Sequence, residues 1–229
     1  MKKYAIIVAG GIGSRMQGEV PKQFMLLNSK PVILYSIEAF HSFDPLIQII
    51  LVVHPDYLAL WEQLTKEFKI SIPFQVVMGG KTRFDSVKNG MELIKEDGFV
   101  AVHDAARPVI SAEFIRNLFS TASTFGSAIP AIPLFDTIRE IVGDTSHQAD
   151  RTFLRAVQTP QVFKVSELQR AYTQPYQPNF TDDGSVMEAA GFSIHLTDGK
   201  QANIKITHLQ DIAVADILIK NLTTEERRT

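Results

Sequence analysis

Tyr4-Ala5-Ile6-Ile7-Val8-Ala9 runs straight into Gly10-Gly11-Ile12-Gly13-Ser14-Arg15, and Pro21-Lys22-Gln23 follows close behind. A short β-branched run broken by glycines reads as a buried strand ending in a tight turn, where backbone N–H groups approach an anion with no Cβ in the way. Glycine clusters alone are mostly ordinary strand-to-loop turns. Arg15 and Lys22 shift the reading toward a phosphate cradle, because they place two positive charges at the same turn.

Two better-known phosphate loops do not fit. The dinucleotide fingerprint G-x-G-x-x-G needs glycine where Met16 stands, and an acidic residue at the end of a second strand about 20 residues on. The next strand-like run begins only near Ile47. The P-loop needs Gly-Lys-Ser/Thr near Gly13 or Gly18, where the sequence has Ser14-Arg15 and Glu19-Val20. A glycine turn with an arginine and a lysine suits a triphosphate whose charge rises in the transition state, which points to nucleotidyl transfer.

A chain of 229 residues is long enough for one substantial α/β core and short for two domains with linkers, so a single domain over 1–229 is expected. With 45% hydrophobic and 21% charged residues, and no apolar run near the roughly 18 residues of a membrane span, it reads as soluble. Met1-Lys2-Lys3 passes directly into the first strand, so no signal peptide is read and a cytoplasmic location is expected. Zero cysteines exclude disulfides, thiol nucleophiles and thiolate zinc, leaving Mg²⁺ as the natural metal candidate. A formal net charge of −2 argues against a nucleic-acid-coating protein.

Beyond the loop, Ile33, Ile37 and Phe40 recur at helical spacing, and Ile47 to Val53 forms a second apolar strand. Asp56 is the expected N-cap of a helix with Tyr57, Trp61, Leu64 and Phe68 on one face; Phe74 to Met78 reads as a strand ending in Gly79-Gly80. Thr82-x-x-Asp85 resembles a capping box, Phe99 to His103 is the next strand and Ser111 caps a further helix before the Gly126 to Ile132 strand. This alternation predicts an α/β, Rossmann-like fold, its mostly parallel sheet covered by helices on both faces.

The rhythm breaks between Leu134 and Pro160. Thr137 to Val142 alternates with period two into a polar turn at Gly143 to Asp150, which predicts a hairpin arm at about 134–158. A hairpin alone is marginal in water, so a second subunit is its simplest partner and a homodimer is expected. Helices are predicted at Ser166-Glu167 and from Thr181-Asp182-Asp183 to Gly191, strands at Ser193 to Leu196 and Asn203 to Ile206, and a last helix through Leu209, Ile212 and Ile219 before a fraying tail at Thr223 to Thr229.

In open α/β sheets ligands bind beyond the strands' carboxyl ends, here Gly10-Gly11, His54, Gly79-Gly80 and His103-Asp104. Gly79-Gly80 can read a base edge with Ser86 adding a hydroxyl, or serve equally as a plain turn. Asp104, followed by Ala105-Ala106 and Arg107-Pro108, can hold Mg²⁺ against triphosphate oxygens while Arg107 meets a second anion. His54 and His103 receive no role, and on pattern alone Lys205 reads as the solvent-facing residue of an edge strand.

Taken in order, Ala9 to Met16, Pro21-Lys22-Gln23-Phe24, Gly79-Gly80-x-x-Arg83-x-x-Ser86-Val87, His103 to Pro108, Gln158-Thr159-Pro160-Gln161 and Asn203-Ile204-Lys205 resemble the 2-C-methyl-D-erythritol 4-phosphate cytidylyltransferases over nearly the whole chain. The resemblance implies a homodimer that joins CTP to methylerythritol phosphate and releases pyrophosphate in non-mevalonate isoprenoid biosynthesis. Transition-state residues then fall on Arg15 and Lys22. CTP-binding positions fall on Ala9, Gly10, Gly11, Gly13, Gly80, Ser86 and Lys205, and the metal-site aspartate on Asp104. Thr137 and Arg151 look like the arm residues that reach a neighbour's sugar phosphate; Arg107, Thr159 and Thr181 match further substrate-side positions. Ribitol 5-phosphate cytidylyltransferases share the glycine loop and Pro-Lys-Gln, so ribitol phosphate is the alternative acceptor. An NAD-dependent oxidoreductase is opposed by Met16, and a passive nucleotide binder by Arg15, Lys22 and Asp104 together.

Overall fold

The computed structural model describes residues 1–11 and 20–226. Gly13 and Arg15 lie outside the described residues. The strands are β1 (Lys2–Ala9), the two-residue β2 (Leu26–Leu27) and β3 (Lys30–Pro31), β4 (Gln48–Val53), β5 (Gln75–Met78), β6 (Gly98–Asp104), β7 (Ser127–Pro133), β8 (Arg139–Val142), β9 (Thr145–Gln148), β10 (Arg155–Val157), β11 (Gln161–Lys164) and β12 (Leu196–Asp198). The helices are α1 (Val32–Phe43), α2 (Leu58–Glu67), α3 (Arg83–Met91), α4 (Ala112–Phe125), α5 (Val165–Ala171), α6 (Asp183–Ala189) and α7 (Gln210–Glu226).

The main sheet has the order β10-β7-β11-β6-β1-β4-β5, with β12 on β7. β5, β4, β1 and β6 are parallel neighbours, whereas β11 lies antiparallel between β6 and β7. The mostly parallel, two-faced sheet expected from the sequence is therefore present. Successive β1 residues point to opposite faces, and both faces are covered: Ala5, Ile7 and Ala9 pack with α1 and α4 through Ile37, Phe40 and Leu118. Tyr4 and Ile6 pack with α3, α5 and α6 through Val87, Leu168 and Met187. A smaller cluster of Leu27, Val32, Ile206, Ala215 and Ile219 seats α7.

Local signals acted largely as read. Thr82 and Asp85 form a reciprocal capping box on α3, and the Ser111 hydroxyl accepts from the Phe114 amide. Trp61 is buried, and Gly191 closes the segment after α6 with φ +83°. Three expectations need correction. Asp56 does not cap α2: a 3-10 turn at Pro55–Tyr57 precedes the helix, and His54 Nδ1 accepts from the Asp56 amide. The strand near Ser193 begins only at Leu196. Asn203 to Ile206 is not a strand, because its backbone bonds locally and across, Ile204 N–H to Ala202 and Ile206 N–H to Ala106, so no ladder forms. At the far end α7 runs on to Glu226, past the start of the tail expected to fray.

β8 and β9 pair as a two-stranded hairpin with Gly143-Asp144 at the turn, every residue of both strands being exposed. The chain is back on the main sheet at β10, which pairs with β7.

Candidate active site

The carboxyl ends of β1, β4 and β6 and the turn after β5 open into one cleft of about 320 Å³. Ala9, Gly10, Gly11, Lys22, Gln23, His54, Gly80, Ser86, Asp104 and Lys205 all line it, which brings the four strand ends to one crevice.

The first wall is the turn after β1. Gln23 is buried, and its amide donates to the carbonyls of Ala9 at 2.9 Å and Gly11 at 3.1 Å, tying the entry of the glycine loop to the 3-10 turn that carries Lys22. The second wall is the turn after β5. Ser86 Oγ donates to the Thr82 carbonyl and accepts from the Gly80 amide at 3.1 Å. A β-carbon on Gly10 would lie 3.0 Å from that oxygen, and one on Gly80 only 2.2 Å from Asp85 Cβ. Glycine is demanded here by close approach, which leaves backbone accessible along the cleft. The hydroxyl of Ser86 is a strut between the two glycine turns.

The third wall is charged. Asp104 Oδ2 takes the Lys205 ammonium at 2.6 Å and Oδ1 takes Arg83 Nε at 3.2 Å. Burial alone would raise the Asp104 pKa, yet Arg83, Lys205 and Arg107 hold it well below the usual carboxylate range, so this residue is anionic at neutral pH. Arg83 continues to Asp183 through Nη1 at 3.0 Å and Nη2 at 2.6 Å. Arg107 Nη1 donates to the Asn203 carbonyl at 2.8 Å, while its buried Nε has no partner among the described residues.

Behind Asp104 lies a neutral relay. The Asp104 amide donates to Thr159 Oγ1 at 3.0 Å, and His103 Nδ1 lies 3.2 Å from the same hydroxyl; because the Arg107 carbonyl opposite Nε2 can only accept, Nδ1 is the acceptor and Thr159 donates to it. The imidazole proton is then on Nε2, facing the Arg107 carbonyl and Ser36 Oγ, each at 3.1 Å. His103 is buried and its pKa is pushed down to about 3, burial being the largest cause, so it stays neutral.

Not every predicted residue meets the cleft. Thr159 is buried behind Asp104 and acts on it from the inside. Thr137 and Arg151 are exposed on the arm, with Arg151 donating to the Phe135 carbonyl, and Thr181 is exposed before α6; none lines the cleft. Lys205, read from pattern as an edge-strand residue, instead faces Asp104. In the sequence Arg83 and Gln23 stand out only as members of motifs, and Asp183 only as part of a turn. Their one sequence signal is an uncompensated polar group beside a cap or after Lys22.

A sequence profile of the 2-C-methyl-D-erythritol 4-phosphate cytidylyltransferases matches residues 4–221. The chain belongs to this family. A Bacteroides thetaiotaomicron protein described as a 2-C-methyl-D-erythritol 4-phosphate cytidylyltransferase is 43% identical over 219 residues, covering 96% of this chain and all of that one. The crystal structure of the Francisella tularensis 2-C-methyl-D-erythritol 4-phosphate cytidylyltransferase superposes with a TM-score of 0.77 at 28% identity, over 95% of this chain and 100% of that one. A structure of the 4-diphosphocytidyl-2C-methyl-D-erythritol synthase of Anaerococcus prevotii reaches 0.80 at 23% identity, over 96% and 98%, and supports the fold. Membership makes the chain a nucleotidyltransferase and explains why the glycine turn departs from both better-known phosphate loops. Among the described residues no helix is long and apolar enough to cross a membrane.

Proposed function

We propose that the cleft transfers CMP from CTP to 2-C-methyl-D-erythritol 4-phosphate, giving CDP-methylerythritol and pyrophosphate in non-mevalonate isoprenoid biosynthesis. One observation carries the reading: the ammonium groups of Lys22, Lys81 and Lys205 line the cleft with Asp104 as its one carboxylate among the described residues, between glycine turns that leave backbone accessible. That is a polyphosphate's complement. Ribitol 5-phosphate is the less favoured acceptor, because the matching profile and the relatives carry the methylerythritol name.

The reaction asks the protein for placement and charge. The attacking phosphate monoester has a second pKa of about 6 and is largely dianionic at neutral pH, so no general base is needed. Arg15 and Lys22 stabilise charge that grows at the α-phosphate. The nucleotide is held at positions Ala9, Gly10, Gly11, Gly13 and Gly80, with Ser86 fixing the base-reading turn, and Lys205 meets the triphosphate.

Asp104 fits a divalent cation, Mg²⁺ being the candidate: it is anionic, it lines the cleft, and its Oδ2 partner Lys205 is half-exposed. Mg²⁺ is usually held by one or two carboxylates together with substrate oxygens, and Asp104 is the carboxylate that this cleft offers among the described residues. When bound there, the ion would neutralise charge on the triphosphate. Arg107, outside the cleft lining but close enough to Asp104 to depress its pKa, is assigned to the acceptor phosphate. Thr137 and Arg151 contribute from the arm of a second copy, in a homodimer supported by exposed Ile141 and Phe153 on and beside the hairpin. Thr181 and Thr159 complete the acceptor side, Thr159 through Asp104.

The test is pyrophosphate release from CTP, UTP, ATP and GTP, each with methylerythritol phosphate or ribitol 5-phosphate. CTP with methylerythritol phosphate is expected to dominate; equal turnover with purines, or preference for ribitol phosphate, overturns the assignment.

A further inference from the structure

Two groups have no step of their own in the reaction: Arg83, at the head of α3, and the Asp182-Asp183 pair that opens α6. They meet. Arg83 grips the two oxygens of Asp183 with Nη1 and Nη2, and the Tyr172 hydroxyl donates to Asp183 Oδ1 at 2.6 Å. Asp183 is fully buried. Asp182 caps α6 and accepts from Gln161 on β11, while the capping box of Thr82 and Asp85 fixes the turn on which Arg83 stands. Both ends of the Arg83–Asp183 pair are therefore seated in structure.

The third donor of Arg83 is what reaches the site. Nε lies 3.2 Å from Asp104 Oδ1, on the side away from Lys205. Asp104 thus has two unequal cationic partners. Lys205 is a single-point contact on a flexible stem, 43% exposed, in a segment that makes no ladder. Arg83 is a planar fork whose other prongs are committed to Asp183, a geometry that an ammonium cannot reproduce.

We propose that Arg83 is a positioning residue for Asp104: braced on Asp183, it fixes the Oδ1 side of the carboxylate, so that Lys205 is the partner that exchanges and Oδ2 is the oxygen presented when a polyphosphate enters. The inference rests on Asp104 belonging to the reacting end of the cleft. It gives the Asp183 turn a purpose: α6 anchors a carboxylate on β6 without touching the ligand. Small errors in the placement of a reacting group are costly in rate, which is why such bracing matters.

The experiment compares wild type with Arg83→Lys, Asp183→Asn and the double variant. Each retains a polar partner for the remaining groups, and thermal midpoints confirm folding at the assay temperature. Arg83→Lys is expected to lower kcat by about 10- to 100-fold, with KM for CTP changed by no more than about threefold because the glycine turns are untouched. Asp183→Asn should lower kcat less, and the double variant should be no worse than Arg83→Lys alone, since both act through one carboxylate. Crystal structures of wild type and Arg83→Lys supply a readout independent of turnover: the Asp104 side chain should rotate in the variant. An unmoved Asp104, a kcat equal to wild type in the folded variant, or fully additive losses overturns the proposal. Failure of wild type to release pyrophosphate from CTP would instead overturn the functional assignment, while the Asp104 rotamer would still decide the positioning role.

Discussion

The ammonium of Lys205 lies 2.6 Å from Asp104 Oδ2, tying a segment near the end of the chain to the carboxyl end of a central strand. The Lys205 end is half-exposed and Arg83 still neutralises the largely buried Asp104 when it is gone, so Lys205→Ala should cost about 1 kcal/mol and shift the thermal midpoint by only about 2–4 °C. Its kcat/KM should nevertheless fall by about 10²-fold, as for loss of one preorganised donor. A variant with wild-type kcat/KM and reduced stability would make the pair purely structural.

Lys22 reaches the cleft from a turn pinned by Gln23, and Arg15 belongs to the same loop sequence. Replacing either by alanine should lower kcat by about 10²-fold or more while leaving chemical denaturation midpoints nearly unchanged. Full kcat with only a raised KM would move these residues from the transition state to simple binding.

Gly10 and Ser86 offer a double-variant test. A Cβ at Gly10 meets Ser86 Oγ at 3.0 Å but Ser86 Cβ at 3.7 Å, so the obstacle is the hydroxyl. Gly10→Ala should be destabilised, and adding Ser86→Ala should restore part of the loss even though Ser86→Ala alone costs about 1 kcal/mol for the Gly80 amide it abandons. Additive losses in thermal melts would contradict this contact.

His103 sets a pH window. Its folded pKa of about 3 lies below the ordinary 6.5, so the unfolded chain takes up the proton first as pH drops. Stability from this group is level above about pH 6.5 and declines between there and pH 3, by up to about 1.4 kcal/mol per unit. Asp104, also depressed, adds its loss only below its ordinary 3.8. Urea titrations in metal-free buffer from pH 7.5 to 4.5 should show this slope in wild type and a flatter one in His103→Asn; equal slopes would refute the neutral, buried assignment.

The arm is tested by complementation. Asp104→Ala lacks a working core and Arg151→Ala a working arm, so each alone should be nearly inactive. Unfolded together and reassembled in equal amounts, about half the dimers are mixed, and each mixed dimer regains one of its two sites, returning about a quarter of wild-type activity. If verified mixed dimers recover nothing, Arg151 acts within its own subunit or not at all.

Much of the molecule was legible because its signals are local. The apolar β1 and its glycines, the Thr82–Asp85 box and the Ser111 cap are settled within a few residues of themselves. Asn203 to Ile206 misled because alternating apolar residues resemble a strand, whereas a strand also needs a free neighbouring edge, and the Ile206 amide is taken by Ala106. Asp56 caps nothing because Pro55–Tyr57 forms a 3-10 turn of its own, capped by His54, whose ring nitrogen accepts from the Asp56 amide. Arg83 and Asp183 are 100 residues apart, and nothing in either neighbourhood announces the other. Asp104 and Lys205 become a pair only through the fold, although the family likeness marks each of them as a site residue.

The antiparallel β11 has a consequence for how the chain emerges during synthesis. β5, β4, β1 and β6 can zip together as they are made, but β7 touches β6 only through β11, which is made after the arm. A nascent β7 therefore waits with an unpaired edge while the hairpin leaves the ribosome. Pro130 and Pro133 lie in that waiting strand, and each removes an N–H that a stray strand would need. The two prolines guard a half-built sheet against the wrong partner until the right one arrives.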